Sequence, residues 1–268
     1  MEVKLFKNSV SIHAFGRDTG DWRVTEPNNI ESYSKIIAMA KKLEAHTVWY
    51  PRAGTCNAKI VTKQDFPSNR CFSIDEVAIM TGVEASGCPV GKGEAFFIAS
   101  ADCPTMVVQD EIGKVVCAHA GRDELIERHW VKYDHANPGR KFESVVDAIA
   151  SHYGHPMRHA KIFSGFGIRE DFCHDPTNEK YRGYNDKLDV HIHRRFGSEI
   201  SCFDLDHNLS LELLIQLQWL RYGVHPQKMI SDRICTKTDI GNDNQFVWHS
   251  RARDGANSGR NGIFVVVH

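Results

Sequence analysis

Three observations predict an α+β fold for this 268-residue chain. Short apolar runs of strand length crowd its middle, segments with helical spacing lie between and after them, and neither a strict strand–helix alternation nor a G-x-G-x-x-G turn organises them. No Pro/Gly/Ser-rich linker divides the sequence, so residues 1–268 read as one domain with a mixed sheet core and outer helices.

The elements follow in order. Residues 3–15 read as strand, ending near His13-Ala-Phe15, and Gly16-Arg-Asp-Thr-Gly-Asp21 is too rich in turn formers to be anything but loop. Asn29 or Ser32 is a cap for a helix in which Ile36, Ile37, Met39, Ala40 and Leu43 recur at helical spacing, with Lys41 and Lys42 in its last turn. Thr47–Tyr50, Lys59–Thr62 and Val77–Met80 read as strands, and Gly82–Gly93 as loop. The apolar runs Ala95–Ala99 and Thr105–Val108 bracket Ser100-Ala-Asp-Cys-Pro104, and Lys114–Ala118 runs into His119-Ala-Gly-Arg122. Phe142–Tyr153 reads as a short helix and Lys161–Phe163 as a strand. Ser210–Tyr222 is the clearest helix, with Leu213, Leu214, Leu217 and Leu220 as its apolar face and Gly223 as its stop. Strands near Phe246–Trp248 and Ile263–Val267 close the chain.

Composition removes several function classes. Thirty-three Lys plus Arg against 34 Asp plus Glu give a formal charge of −1, which offers no global field for nucleic acid. No apolar run approaches a membrane span, and the first residues lack the apolar core of a signal peptide, so a cytoplasmic protein is expected. The eight cysteines contain no C-x-x-C pair, and most read as plain buried thiols.

Two segments can carry chemistry. If the strands around Gln109–Gly113 pair as a hairpin, Cys103 and His119 fall roughly opposite each other. An imidazole beside a thiol makes thiolate available, as nucleophile or metal ligand; the bland alternative is a core thiol and a satisfied histidine. His249–Arg260 holds three arginines and several small residues, either an anion-binding loop or a solvated polar hairpin. Asp175, Asp186 and Asp189 fall in a charged region that reads as a solvated face. His191 and His193 there alternate as they would on one face of a strand.

The order of these motifs resembles the YfiH-like, "laccase-domain" family, once named multicopper polyphenol oxidases and now viewed as purine nucleoside phosphorylases. Members carry T-A-D-C-x-P, V-H-A-G-W-R, a helix of D-L-x-x-x-N…L-x-x-x-G-V type, a C-T segment and F-x-S-x-R-R-D-G-x-x-G-R. This chain has Ser100-Ala-Asp-Cys-Pro104, Ala118-His-Ala-Gly-Arg122, Asp204-Leu-Asp-His-Asn208 leading to Tyr222-Gly-Val224, Cys235-Thr236, and Phe246 to Arg260. His13-Ala-Phe-Gly-Arg17 is similar to the family's opening strand and arginine, so the resemblance spans nearly the whole chain. It implies an α+β fold like that of the catalytic domain of cytotoxic necrotizing factor toxins. It also implies a zinc site that includes Cys103 and His119, with Asp102 orienting it and Arg17, Arg122, Arg251 and Arg253 as candidates to hold phosphate. The implied substrates are a purine nucleoside and phosphate, with adenosine deamination as an additional activity.

The chain also departs from the family pattern. The family's first histidine, in Q-x-H-G, aligns near Gly54-Thr-Cys-Asn57, which makes Cys56 the third zinc ligand candidate. The tryptophan of H-A-G-W-R is missing, and the G-P-x-I-G turn has no proline in Phe163-Ser-Gly-Phe-Gly167. Two other readings stay open beside the phosphorylase: a metal-free Cys103–His119 amidase or deamidase, and a ligand-binding homologue without turnover. A copper oxidase needs several histidine-rich ligand sets, and one plausible site is present. The sequence leaves the oligomeric state open.

Overall fold

The computed structural model describes residues 1–27, 29–53, 58–126, 144–169, 184–196, 202, 209–255 and 257–268. Two mixed sheets stack face to face. The seven-stranded sheet has the order β1 (Glu2–Leu5), β2 (Val10–Phe15), β12 (Asn261–Val267), β7 (Glu94–Ser100), β3 (Thr47–Trp49), β5 (Val77–Met80), β4 (Cys71–Ile74). The five-stranded sheet has the order β11 (Met229–Ser231), β10 (Lys161–Gly165), β8 (Thr105–Gln109), β9 (Val115–His119), β6 (Gly87–Val90). β3 runs parallel to both of its neighbours and β10 parallel to β11, while the other pairs are antiparallel. The fold is α+β, as the sequence predicts.

The layers follow from side-chain alternation. Residues such as Ile12, Phe96, Val265, Val107 and Phe163 fill the space between the sheets. The opposite face of the seven-stranded sheet, with Val48, Ile79, Phe97 and Phe264, packs on Ile36, Ile37 and Ala40 of helix α1 (Ser34–Lys42). The outer face of the five-stranded sheet, with Met106, Val108, Val116 and Ile162, packs on α3 (Val145–Tyr153), α4 (Tyr184–Phe196) and α5 (Leu211–Arg221). Strands β7 and β12 are therefore covered on both faces, which is why they read as continuous apolar runs. Fully burying a side chain such as Phe96 or Phe264 contributes roughly 1.5–3 kcal/mol.

Several expectations are corrected. The strand over 3–15 is a hairpin, broken where Phe6, Lys7 and Asn8 all take positive φ (52°, 61° and 67°). Gly82–Gly93 contains β6, and Cys71–Ile74 adds a strand, whereas Lys59–Thr62 and Phe246–Trp248 reach only isolated bridges at Ile60 and Phe246. Helix α5 turns Leu211, Leu214, Ile215, Gln218 and Trp219 inward and leaves Leu213 and Leu220 exposed, because Trp219 sets the face against Met106. His191 and His193 lie on α4, where two positions are about 200° apart, so they do not share a face.

Candidate active site

Ala101–Pro104 is the crossing from the seven-stranded to the five-stranded sheet, linking the end of β7 to the start of β8. A crossing segment has no ladder of its own, and side chains and neighbouring loops hold this one. Ser100 Oγ donates to the Cys103 carbonyl at 2.9 Å. Asp102 accepts from Thr236 Oγ1 and from the Ala252 N–H, both at 2.8 Å, and the Ile168 N–H donates to its carbonyl at 2.7 Å. Asp102 thus ties the crossing to the Cys235-Thr236 segment and to the first turn of α6 (Arg251–Asp254), its carboxylate holding one hydroxyl and one backbone N–H.

The β8–β9 hairpin forms as predicted, with Thr105 paired to His119, so the imidazole stands at the strand end beside the crossing. His119 is buried, and the Cys103 thiol lies near enough to its imidazole to act on its charge. Its Nδ1 lies 2.8 Å from Oε1 of Glu124, a buried carboxylate on the short helix α2 (Arg122–Leu125). Burial alone would disfavour the imidazolium, but Glu124 and then Cys103 outweigh it and push the His119 pKa well above the ordinary histidine value. Gly121 is required by close approach: a Cβ there would lie 2.6 Å from Glu124 Oε2, 2.8 Å from His119 Cε1 and 2.9 Å from Cys103 Sγ.

Guanidinium groups crowd the same end of the molecule. Arg260 is held below the ordinary arginine range by burial first, then by repulsion from Arg23 and Arg251, while Asp21 and Cys103 oppose the shift. Arg260 is thus within electrostatic reach of the thiol. Arg23 Nη2 donates to the Ser258 carbonyl at 2.5 Å and Arg260 Nη1 to the same carbonyl at 2.9 Å, so one oxygen anchors two guanidiniums. Clustered like charges held by rigid backbone form a place where an anion is favoured.

The predicted arginines separate by role. Arg251 belongs to this cluster and is exposed. Arg17 is exposed and reaches Asp254 at 3.1 Å. Arg122 lies along its neighbour Asp123, with Nε at 2.8 Å from Oδ1. Arg253 uses its fork on Asp254 and on the carbonyls of Thr236, Lys237 and Trp248, and stacks 3.8 Å over Phe246. It acts as a strut for the loop.

Zinc needs three or four protein donors converging on one point. Among the described residues no three His, Cys, Asp or Glu side chains do so. Glu124 sits on the Nδ1 side of the His119 ring. Cys56 lies outside the described residues, as do Cys173, Asp175 and Asp204–Asn208. The described side chains alone do not complete a zinc site.

Glu124 and Arg23 are not singled out by the sequence, and Arg260 enters there only as one of the three arginines of the His249–Arg260 segment. Glu124 looks like an ordinary acidic residue in a helix first turn, and a five-residue spacing to a histidine carries no periodic signal. Asp232 is a third. Its Oδ2 accepts from the Phe166 N–H at 2.9 Å and its Oδ1 from the Ile234 N–H at 3.2 Å, holding Phe166 at φ 56° in the turn that leads to Ile168. Burial pushes the Asp232 pKa up to about 6, helped by Glu212 and opposed by the two N–H donors and Arg169.

Comparison with known proteins gives a fold. No family model matches the chain, and no curated protein matches it. Among solved structures it is similar to hypothetical protein YfiH of Bacillus licheniformis, at 16% identity and TM-score 0.63 over 97% of this chain and 94% of that one. It is similar to protein NMB0706 of Neisseria meningitidis, of family DUF152, at 15% identity and TM-score 0.61 over 100% and 98%. YlmD of Geobacillus stearothermophilus matches at 18% identity and TM-score 0.60 over 97% and 91%.

Proposed function

Because the chain has the YfiH-type fold, we propose that it is a nucleoside phosphorylase-like enzyme that cleaves the N-glycosidic bond of adenosine- or inosine-type nucleosides with phosphate. The observation that carries this reading is the line Glu124–His119–Cys103 ending beside the Arg23, Arg251 and Arg260 cluster. Guanidinium forks suit phosphate oxygens. Held there, a phosphate oxygen attacks C1′ of the ribose, the C1′–N9 bond breaks, and its electron pair leaves with the purine. His119, favoured as imidazolium by Glu124, gives the proton that neutralises the leaving base. Cys103 flanks the imidazole and helps keep it charged, and Asp102 holds the crossing in place. The products are a ribose 1-phosphate and the free purine.

The test is purine release from inosine and adenosine with and without phosphate. Release should require phosphate and should fall about 100–1,000-fold in His119→Ala, with a smaller loss of the same sign in Cys103→Ala. Cleavage that survives in both variants, or its absence at any phosphate concentration, would sink the reading.

A second reading, a cysteine amide hydrolase, is favoured by Glu124 itself, which completes a thiol–imidazole–carboxylate order. In it Cys103 Sγ attacks an amide carbonyl, its proton passes through His119 to the leaving amine, and water releases the acyl group. Phosphate-independent turnover abolished by iodoacetamide supports it. Slow labelling of Cys103 that a chelator accelerates counts against it.

A further inference from the structure

Asp232 directly follows β11 and takes no part in the chemistry above, yet its contacts lead to Cys103 in three steps. The first is a grip on a turn. Asp232 Oδ2 accepts from the Phe166 N–H at 2.9 Å, and Oδ1 accepts from the Ile234 N–H of its own segment at 3.2 Å. Gly165 permits this approach, since a Cβ there would run into Oδ2. Phe166 needs the grip: its φ of 56° lies in the left-handed region, which a bulky side chain adopts only when its surroundings impose it.

The second step is packing. A Cβ at Gly167 would lie 2.7 Å from Pro104 Cγ and 2.9 Å from Pro104 N, so the turn rests on the Cys103–Pro104 peptide itself. The third is hydrogen bonding. The Ile168 N–H donates to the Asp102 carbonyl at 2.7 Å, and the Thr236 N–H donates to the Gly167 carbonyl at 3.1 Å. Thr236 Oγ1 also donates to Asp102, so the turn, the crossing and the 232–236 segment close a ring of contacts.

We propose that Asp232 is a positioning residue for Cys103: by gripping the Phe166 turn, its carboxylate sets where the Cys103–Pro104 peptide sits and so how the thiol faces His119. The proposal rests on the reading of Cys103 and His119 as the site, and it applies to the phosphorylase and to the amide hydrolase alike. An ionised carboxylate makes charge-assisted bonds to both N–H groups, whereas the protonated acid accepts more weakly. Burial raises the Asp232 pKa to about 6, with Glu212 and against the two N–H groups and Arg169. Among the described residues Glu212 and Arg169 are the charged groups that act on it; they reach each other at 3.5 Å, and Ser231 Oγ donates to Glu212 at 2.6 Å. A cavity of about 20 Å³ lined by Asp232, Glu212, Ser164 and Pro104 has room for about one water, which lets the carboxylate ionise within the fold. The grip therefore tightens as pH rises through about 6.

The test is alkylation of the full chain by iodoacetamide, with the rate read at Cys103 by peptide mass spectrometry. Cys71, partly exposed on β4 in the other sheet, serves as an internal reference. Asparagine mimics the protonated acid, so Asp232→Asn should slow Cys103 about 3–10-fold at about pH 7.5 and less than about twofold at about pH 5, with Cys71 unchanged; displacements well under an ångström suffice for such losses. Gly167→Ala should slow Cys103 at both pH values, because a methyl pressed on Pro104 acts whatever the charge. Thermal unfolding of each variant checks that it is folded. An unchanged Cys103 rate in Asp232→Asn at about pH 7.5, an equal loss at both pH values, or a change at Cys71 of the same size would each overturn the proposal. Labelling needs no substrate, so a wild-type protein that releases no purine sinks the nucleoside reading, while the Cys103 rates still decide this one.

Discussion

Two buried glutamates, one in each sheet system, do opposite things. Glu94 opens β7 in the seven-stranded sheet and is saturated: Lys63 Nζ lies 2.6 Å from Oε1, while the Gly91 N–H (2.7 Å) and Trp49 Nε1–H (2.9 Å) donate to Oε2. Burial would raise its pKa, but those three donors outweigh it and hold the carboxyl below its ordinary value. Glu124, beside the five-stranded sheet, faces a neutralisable imidazole that in turn lies beside a thiol. The first arrangement joins fixed partners into a brace. The second sets a proton between groups that can exchange it, at a strand end open to an arginine cluster. Burial of an acid therefore does not identify a site; the titratability of its partner does.

That contrast can be broken by substitution. Glu94→Ala should cost the most stability, about 2–4 kcal/mol by urea unfolding, because it strands the Trp49 and Gly91 N–H donors, while leaving any turnover of folded protein nearly unchanged. A loss of turnover in fully folded Glu94→Ala would erase the distinction. Glu124→Gln should do the reverse, lowering kcat about 10–100-fold with stability changed by about 1 kcal/mol or less. A Glu124→Gln protein of full activity would make the carboxylate a packing residue.

Asp232 sharpens the comparison with the smallest effect. Its folded pKa of about 6 is raised above an unfolded value near 4. The stability it contributes is thus fully present below about pH 4 and lost as pH rises through about 6. The stability difference between Asp232→Asn and wild type should move in the variant's favour by about 1–2 kcal/mol from pH 4 to pH 8, read by urea unfolding at both values. A gap independent of pH would show that the Phe166 turn, not the charge, carries the effect.

Much of this was legible from residues alone. β7, β9 and β12 announce themselves as apolar runs because both faces of each are covered, and the Cys103–His119 hairpin follows from two such runs and a short turn. The face of α5 was misread because Trp219, at the centre of the helix core, outweighs a leucine count. β6 was hidden in a glycine-rich stretch because Gly87 lets its backbone lie against Ala118 and the Cys117 carbonyl, a contact made across the sheet.

The sequence by itself determined the α+β class, the strand runs, and the thiol and imidazole that meet at the strand ends, because alternation and local turn chemistry act over a few residues. Tertiary structure alone decided that Glu124 completes that pair. It also decided that Arg253 is a strut while Arg260 lies between Arg23 and the thiol's field, and that Asp102 holds the Thr236 hydroxyl and the Ala252 N–H. Asp102 and Ala252 lie 150 residues apart, and Arg23 and its anchor Ser258 lie 235 apart. Which of two chemically identical side chains is buried beside a partner depends on the packing of both sheets, and no local pattern in the chain records it.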